Sequence, residues 1–295
     1  MHILWLGDAA SFDVALVGGK VANLSRLAAC HHVPPGFCLT TTALDEGLNR
    51  DMGHDLAEWM VPTLYHAMSD AYDELAARCG GDNPMVAVRS SAADEDGASA
   101  SFAGQHDTYL NISGTRAVAE AVIKFWASAR SPRALEYRRR HGLSVEDTRI
   151  AVLVHQMVPA DVSAVAFSAN PITSSRDEVM VNASWGLGES IVSGTVTPDT
   201  YILRKSDLAV LMQEIGDKEV MTVAVPGGTE EVAVPDTLRS QPALATAELE
   251  TLARLVLSLE QDMGWPVDVE CAFHAGELYL LQCRPITTLR SANTN

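Results

Sequence analysis

The stretch Val267-Asp-Val-Glu-Cys-Ala-Phe-His-Ala-Gly-Glu-Leu-Tyr-Leu-Leu-Gln-Cys-Arg284 decides how the C-terminal part of this chain folds. Its first half alternates strictly, with Val267, Val269, Cys271 and Phe273 on one side and Asp268 and Glu270 on the other. A period of two marks a strand with one buried and one polar face. In the second half, Gln282 and Arg284 share a side opposite Tyr279, Leu281 and Cys283. A three-residue loop, His274-Ala275-Gly276 with Gly276 left-handed, would bring Asp268, Glu270, Gln282 and Arg284 onto one face. Carboxylate and amide oxygens beside a guanidinium suit Mg²⁺ with a polyphosphate: a hard cation takes oxygen ligands, and the guanidinium takes phosphate. The same alternation also fits a plain hairpin with one wet face. On either reading Cys271 and Cys283 are packing residues.

Upstream of this hairpin, Ala247 to Asp262 spaces Leu249, Leu252, Val256 and Leu259 along one helical stripe. The polar stretch from Asp217 to Thr237, with Gly227-Gly228, predicts a mobile β-excursion. Short strands punctuated by Asn170-Pro171, Gly186, Gly188, Gly194 and Pro198 precede it. Ile150 to Val158 is an apolar strand that stops at Pro159, which makes a hinge there and divides the chain into lobes 1–157 and 158–295.

In the first lobe, Ile3 to Leu6 predicts a strand and Gly18-Gly19 the start of a helix that Pro34-Pro35-Gly36 ends. Strands follow at Phe37 to Thr41, Met85 to Val88 and Thr108 to Ile112. Helices are predicted over 43–79, interrupted near Gly53 and Pro62, and from Ala117 to His141 with a break at Pro132. A loop of small polar residues joins Ser90 to Gly104. Helices and strands interleave irregularly, so the fold class is α+β with two lobes rather than a doubly wound sheet.

The net charge of −17, from 21 basic and 38 acidic residues, repels nucleic-acid phosphates and anionic membrane surfaces. A nucleotide remains an acceptable ligand, because a few converging cations reverse the potential locally. Five cysteines without a C-x-x-C pair fit neither a zinc site nor a disulfide framework. The opening residues lack the basic and apolar regions of a signal peptide, and no apolar run reaches the ~18–20 residues a bilayer requires. These features lead us to expect a cytoplasmic protein with reduced thiols, and no nucleic-acid or membrane partner.

Several short motifs are ambiguous taken one at a time. Gly18-Gly19-Lys20 at a helix start suits an anion, since helix-terminal N–H groups and an ammonium both favour one, yet it equally fits an ordinary helix N-terminus. It is not a Walker A loop, which the sequence lacks. Arg89 either meets a phosphate or pairs with the nearby Asp94-Glu95-Asp96 run. Ser101-Phe-Ala-Gly104 is either a flap over phosphates or a surface loop. Trp185-Gly-Leu-Gly-Glu189 holds a lone G-x-G outside a dinucleotide-site context.

Their order along the chain is specific. Val17-Gly-Gly-Lys20 with Val33-Pro-Pro-Gly-Phe37 resembles the opening of the phosphoenolpyruvate synthase and pyruvate phosphate dikinase family. Val88-Arg-Ser-Ser91, Glu95-Asp96 and Ser-Phe-Ala-Gly104 resemble its second block. Ser168-Ala-Asn-Pro171, Gly186-Leu-Gly-Glu189, Ser193-Gly194 and Pro198-Asp199 resemble its middle, and Asp268-Val-Glu270 with Leu281-Gln-Cys-Arg-Pro-Ile286 its end. Rifampin phosphotransferases share this module. Ala164 departs from the family's usual glycine after Ser163.

The resemblance implies an ATP-grasp fold with ATP between two lobes. It implies that Lys20 and Arg89 contact the phosphates, that Gly104 belongs to a phosphate flap with Thr108 near it, and that Gln156 and Val158 meet adenine. It further implies that Glu270 and Gln282 hold Mg²⁺ and that Arg284 lies over the transferred phosphoryl group. In the family a mobile domain carries the phosphoryl group on a histidine, and no Gly-rich Thr/Ser-His-Ala stretch occurs in this sequence. Three functions therefore follow: a phosphotransferase that works with a histidine carrier on a partner protein and yields AMP and phosphate; a stand-alone kinase or ligase that activates a small molecule and yields ADP; or a non-enzymatic nucleotide sensor. The complete set Lys20, Arg89, Glu270, Gln282 and Arg284 favours an enzyme.

Overall fold

The computed structural model describes residues 2–47, 59–92, 108–129, 131, 136, 139–140 and 150–289. It separates into two compact units, the first drawn mainly from residues up to Cys30 and Pro34–Met157, the second mainly from His31–Val33, Val158–Val225 and residues from Thr229 onward.

The first unit contains β1 (Ile3–Trp5), a 3₁₀ turn (Ala9–Phe12), α1 (Val14–Leu27), β2 (Gly36–Leu39), α2 (Thr41–Gly47), α3 (Pro62–Cys79), β3 (Val86–Ala92), β4 (Thr108–Ile112), α4 (Thr115–Ala129) and β5 (Ile150–Gln156). Its sheet runs β1-β2-β5-β3-β4 with antiparallel pairing throughout. Phe37, Leu39, Val86, Val88, Val152 and Val154 point from one face into a core completed by Leu64, Met68, Leu75, Val122 and Trp126. Strand alternation therefore puts Gly36, Ala87, Arg89, Leu153 and His155 on the opposite face.

α1 packs on β3 and β5 and is broken inside. Gly18 has φ 74° and ψ 168°, and a Cβ there would lie 2.3 Å from the Ser91 carbonyl oxygen. Only glycine serves there, in backbone conformation and in space alike. A second helical segment begins just after it, and the Val21 N–H in its first turn donates to Ser91 Oγ at 3.3 Å. The strand expected to stop at Val88 continues to Ala92, because Ser90 and Ser91 still pair with Val152 and Ala151 of β5. Both serines are buried. Arg89 thus projects from mid-strand, not from a loop, and its position is set by backbone pairing on both sides.

The second unit contains β6 (Val162–Phe167), β7 (Glu178–Trp185), α5 (Glu189–Ser193), β8 (Asp199–Arg204), β9 (Val210–Glu214), β10 (Val220–Val225), β11 (Gly228–Ala233), α6 (Asp236–Arg239), α7 (Thr246–Met263), β12 (Val267–His274) and β13 (Glu277–Pro285). Its six-stranded sheet runs β13-β12-β6-β7-β8-β9. α7 packs on β6 and β12 and buries Leu249, Leu252, Val256 and Leu259, the stripe legible in the sequence.

The polar stretch after Asp217 is more anchored than its composition suggests. Lys218 and Asp199 form an ion pair with neither side chain exposed. Lys218 Nζ also donates to the Gly216 carbonyl at 3.0 Å, while the Asp199 carboxylate accepts from the N–H groups of Gly216 at 3.0 Å and Ala243 at 2.7 Å. A buried charge pair holds only when its remaining hydrogen-bonding capacity is met, as it is here. Burial, then the Asp199 charge, raise the neighbouring Tyr201 hydroxyl pKa. No described helix is long and apolar enough to cross a membrane.

Candidate nucleotide site

The decisive local feature is the β12–β13 hairpin. Its turn has two residues, not the expected three: His274 pairs with Glu277, and Ala275 and Gly276 adopt φ 51° and 80°. Two consecutive left-handed residues make a type I′ turn, whose twist matches the flanking strands. Continued in simple alternation, that turn would set Gln282 and Arg284 on the face opposite Glu270.

A bulge reverses this. The register shifts between Glu270 and Cys271, with Cys271 opposite Leu280 and Glu270 opposite Gln282, so Leu281 is the extra residue. Asp268, Glu270, Gln282 and Arg284 consequently do share a face, by a route the sequence reading did not foresee. The bulge also changes the packing side of β13. Leu280, only 1% exposed, takes the core position beside Cys271, while Tyr279 and Leu281, expected there, are half-buried on the other course of the strand. Cys271 and Cys283 are buried free thiols, and burial raises the Cys271 pKa.

On that polar face, Arg284 donates from Nε to Asp268 Oδ2 at 2.8 Å, and a terminal guanidinium nitrogen lies 2.8 Å from the same oxygen in an ion pair. Asp268 is buried and Arg284 partly exposed, so the pair fixes the guanidinium stem while part of its surface stays accessible. Glu270 is half-buried, and its cross-strand partner Gln282 is buried. The row continues across the sheet through Val165 to Asn182 and Thr200, which are hydrogen-bonded at 3.0 Å. One carboxylate and one amide oxygen side by side fit Mg²⁺, which keeps several water or phosphate ligands and needs few from protein. Ala164 stands on the opposite face of the sheet, buried between Cys271 and Ala183.

In the first unit, Lys20 Nζ lies 3.5 Å from the Ser90 carbonyl, and Thr108 pairs directly with Arg89 across β3 and β4. Lys20, Arg89 and Thr108 are thereby gathered at one end of this sheet. Gln156 is not among them. It pairs with Val86, three residues back along β3 from Arg89, and alternation turns it toward the core face. Its N–H donates to the Pro35 carbonyl. Val158 follows and is buried. Gly104, the rest of the flap and the acidic run at 94–96 lie outside the described residues.

Residues 56–295 match the family model described as pyruvate phosphate dikinase, AMP/ATP-binding domain. The chain belongs to that family. Among curated relatives, a probable phosphoenolpyruvate synthase of Methanocaldococcus jannaschii is 39% identical, aligned over 98% of this chain and 27% of its own length. The phosphoenolpyruvate synthase of Pyrococcus furiosus is 35% identical over 99% of this chain and 44% of its own. A rifampicin phosphotransferase of Streptomyces sviceus is 36% identical over 98% and 36% respectively. The chain thus spans less than half the length of these three relatives. As a dikinase-type AMP/ATP-binding domain it has adenosine nucleotide as its ligand. Lys20 precedes the segment matched by the family model, but the relatives align over nearly the whole chain.

The sequence reading missed three features of this domain. One is the role of Asp268 as the anchor of Arg284, whose signal is the equal spacing of Asp268-x-Glu270 and Gln282-x-Arg284. Another is the Asp199–Lys218 pair, for which the sequence offers no signal because the partners sit on separate elements. The third is His155, a lone imidazole in the apolar run Ile150-Ala-Val-Leu-Val-His155.

Proposed function

We propose that this domain binds ATP with Mg²⁺ and transfers a phosphoryl group, working with a histidine carrier on another polypeptide and releasing AMP and phosphate. The observation that carries this reading is the bulge-set pairing of Glu270 with Gln282, beside Arg284 held by Asp268. A passive binding domain has no need for oxygen donors and an anchored guanidinium on one strand pair. Lys20 and Arg89 contact the phosphates, with Thr108 and the Gly104 flap near them, and Gln156 and Val158 meet adenine. Glu270 and Gln282 hold the metal, which when bound offsets phosphate charge. Arg284 offers N–H donors to the phosphoryl oxygens as charge builds on them, the step at which fixed cations accelerate transfer most.

Two measurements test this. Calorimetry of ATP binding is expected to show tighter affinity with Mg²⁺ than with chelator, and Glu270→Ala is expected to abolish most of that difference. Equal affinity in both conditions would remove Glu270 and Gln282 as metal ligands. Nucleotide products decide the acceptor. AMP is expected only when the histidine-bearing partner is supplied. ADP from this chain with a small acceptor, and no AMP with any partner, would establish the second reading, a direct kinase or ligase.

A further inference from the structure

β13 is an edge strand of the second unit's sheet, and the bulge that brings Gln282 beside Glu270 lies on it. The residues of the hairpin do not by themselves fix where that bulge falls. With Leu281 as the extra residue, Leu280 stands opposite Cys271 and fills the core position. With Leu280 as the extra residue, Leu281 would stand there instead, and Gln282 would still meet Glu270. Both are leucines, so the two arrangements bury nearly equal apolar surface. They differ in the residue just before Gln282, and a bulge re-aims the side chains next to it. An edge strand paired on one side, with two near-equivalent places for its bulge, is weakly specified.

A segment outside the hairpin supplies the missing restraint. His31–Val33 lies in the chain between α1 and β2 but belongs to the second unit. The Leu280 N–H donates to the His32 carbonyl at 2.9 Å, which satisfies an edge group that β12 does not reach. With Leu280 as the extra residue, the strand would bend there and turn this N–H off that line. The His32 ring packs on Tyr279, with centroids 4.0 Å apart and planes at 35°. Tyr279 pairs with Ala272, two residues along β12 from Glu270, so it stands one step from the Glu270–Gln282 pair on the same face. His31 Nε2 lies 2.8 Å from Asp262 Oδ2 near the end of α7, the helix that packs on β12. The segment is thus fastened to the helix behind the sheet and to the strand at its edge. We propose that His32 is a positioning residue, whose carbonyl on Leu280 and ring on Tyr279 fix the bulge at Leu281 and so the direction in which Gln282 presents its amide oxygen beside Glu270. This rests on the reading of Gln282 as a metal ligand.

The test combines ATP affinity with the state of the strand. His32 is exposed, so its ring is removable without opening the core. With ATP as probe, His32→Ala is expected to weaken binding in Mg²⁺ about fivefold, the scale of one aromatic pair, and to leave affinity in chelator unchanged. His32→Phe, which restores a ring over Tyr279, is expected to recover most of the loss. Without nucleotide, hydrogen exchange at the Leu280 amide is expected to quicken by a similar factor in His32→Ala while the β12 amides keep their rates. The side-chain amide resonance of Gln282 is expected to move with it. His31→Ala, which frees the segment from Asp262, is expected to give the same pattern. Equal losses in Mg²⁺ and in chelator, or no loss in either, overturn the proposal, and so does a Leu280 exchange rate or a Gln282 resonance that ignores His32→Ala. If Glu270→Ala keeps the wild-type Mg²⁺ dependence, the metal role of the pair falls, and the Leu280 and Gln282 signals alone decide whether His32 positions the strand.

Discussion

Replacing Arg284 with alanine is expected to lower phosphoryl transfer by on the order of 100-fold or more while changing ATP affinity only a few-fold. The asymmetry follows from when the guanidinium matters. Its interaction with a bound nucleotide is one contact among several, but the developing charge of the transfer step depends on a preorganised donor that is already in place. Asp268 provides that preorganisation, accepting from Arg284 Nε on the carboxylate oxygen that also pairs with a terminal guanidinium nitrogen. Losing Arg284 also strands the buried Asp268, so part of any loss of activity could come from destabilisation. Two further variants separate the effects. Arg284→Lys keeps the charge but not the fork, and is expected to stay far below wild type. Arg284→Ala combined with Asp268→Asn is expected to regain stability without regaining turnover. Single-turnover rates with urea titrations on the same samples check both. Near-normal turnover in Arg284→Ala would leave Arg284 as a structural partner of Asp268 alone.

Replacing Lys218 with methionine is expected to be the most damaging change to stability, at about 3–5 kcal/mol, the usual cost of removing one partner from a buried ion pair. For a domain of this size that corresponds to a fall in melting temperature on the order of 10 °C. The volume is conserved, so the cost comes almost wholly from Asp199, left buried without its cation and still tied to the Gly216 and Ala243 N–H groups. Lys218→Met with Asp199→Asn is therefore expected to recover a substantial part of the loss, since the asparagine oxygen still accepts from one of those N–H groups without a buried charge. Thermal unfolding of the single and double variants tests this. A single variant as stable as the wild type would mean that water or another cation reaches Asp199.

The sequence alone determined much of this protein. Strict alternation over Val267–Phe273 identified a strand with one polar face, and the stripe from Leu249 to Leu259 identified the helix that covers its other face. Both are local periodicities, written into consecutive residues by the geometry of strand and helix. Block order along the chain was enough to place it in its family, because several weak motifs in a fixed sequence are jointly specific. What the sequence left open depended on pairing. The face of Gln282 and Arg284 turns on one extra residue at Leu281, and a bulge is a property of two strands together. Arg89 looked like the start of a loop until β5 was seen to pair as far as Ala92. Lys218 read as one more charge in a polar run, and only the burial of Asp199, nineteen residues away, made it an internal cation. Periodicity is set within an element, but register, charge burial and the direction of a site's side chains are set between elements, and tertiary structure decided those.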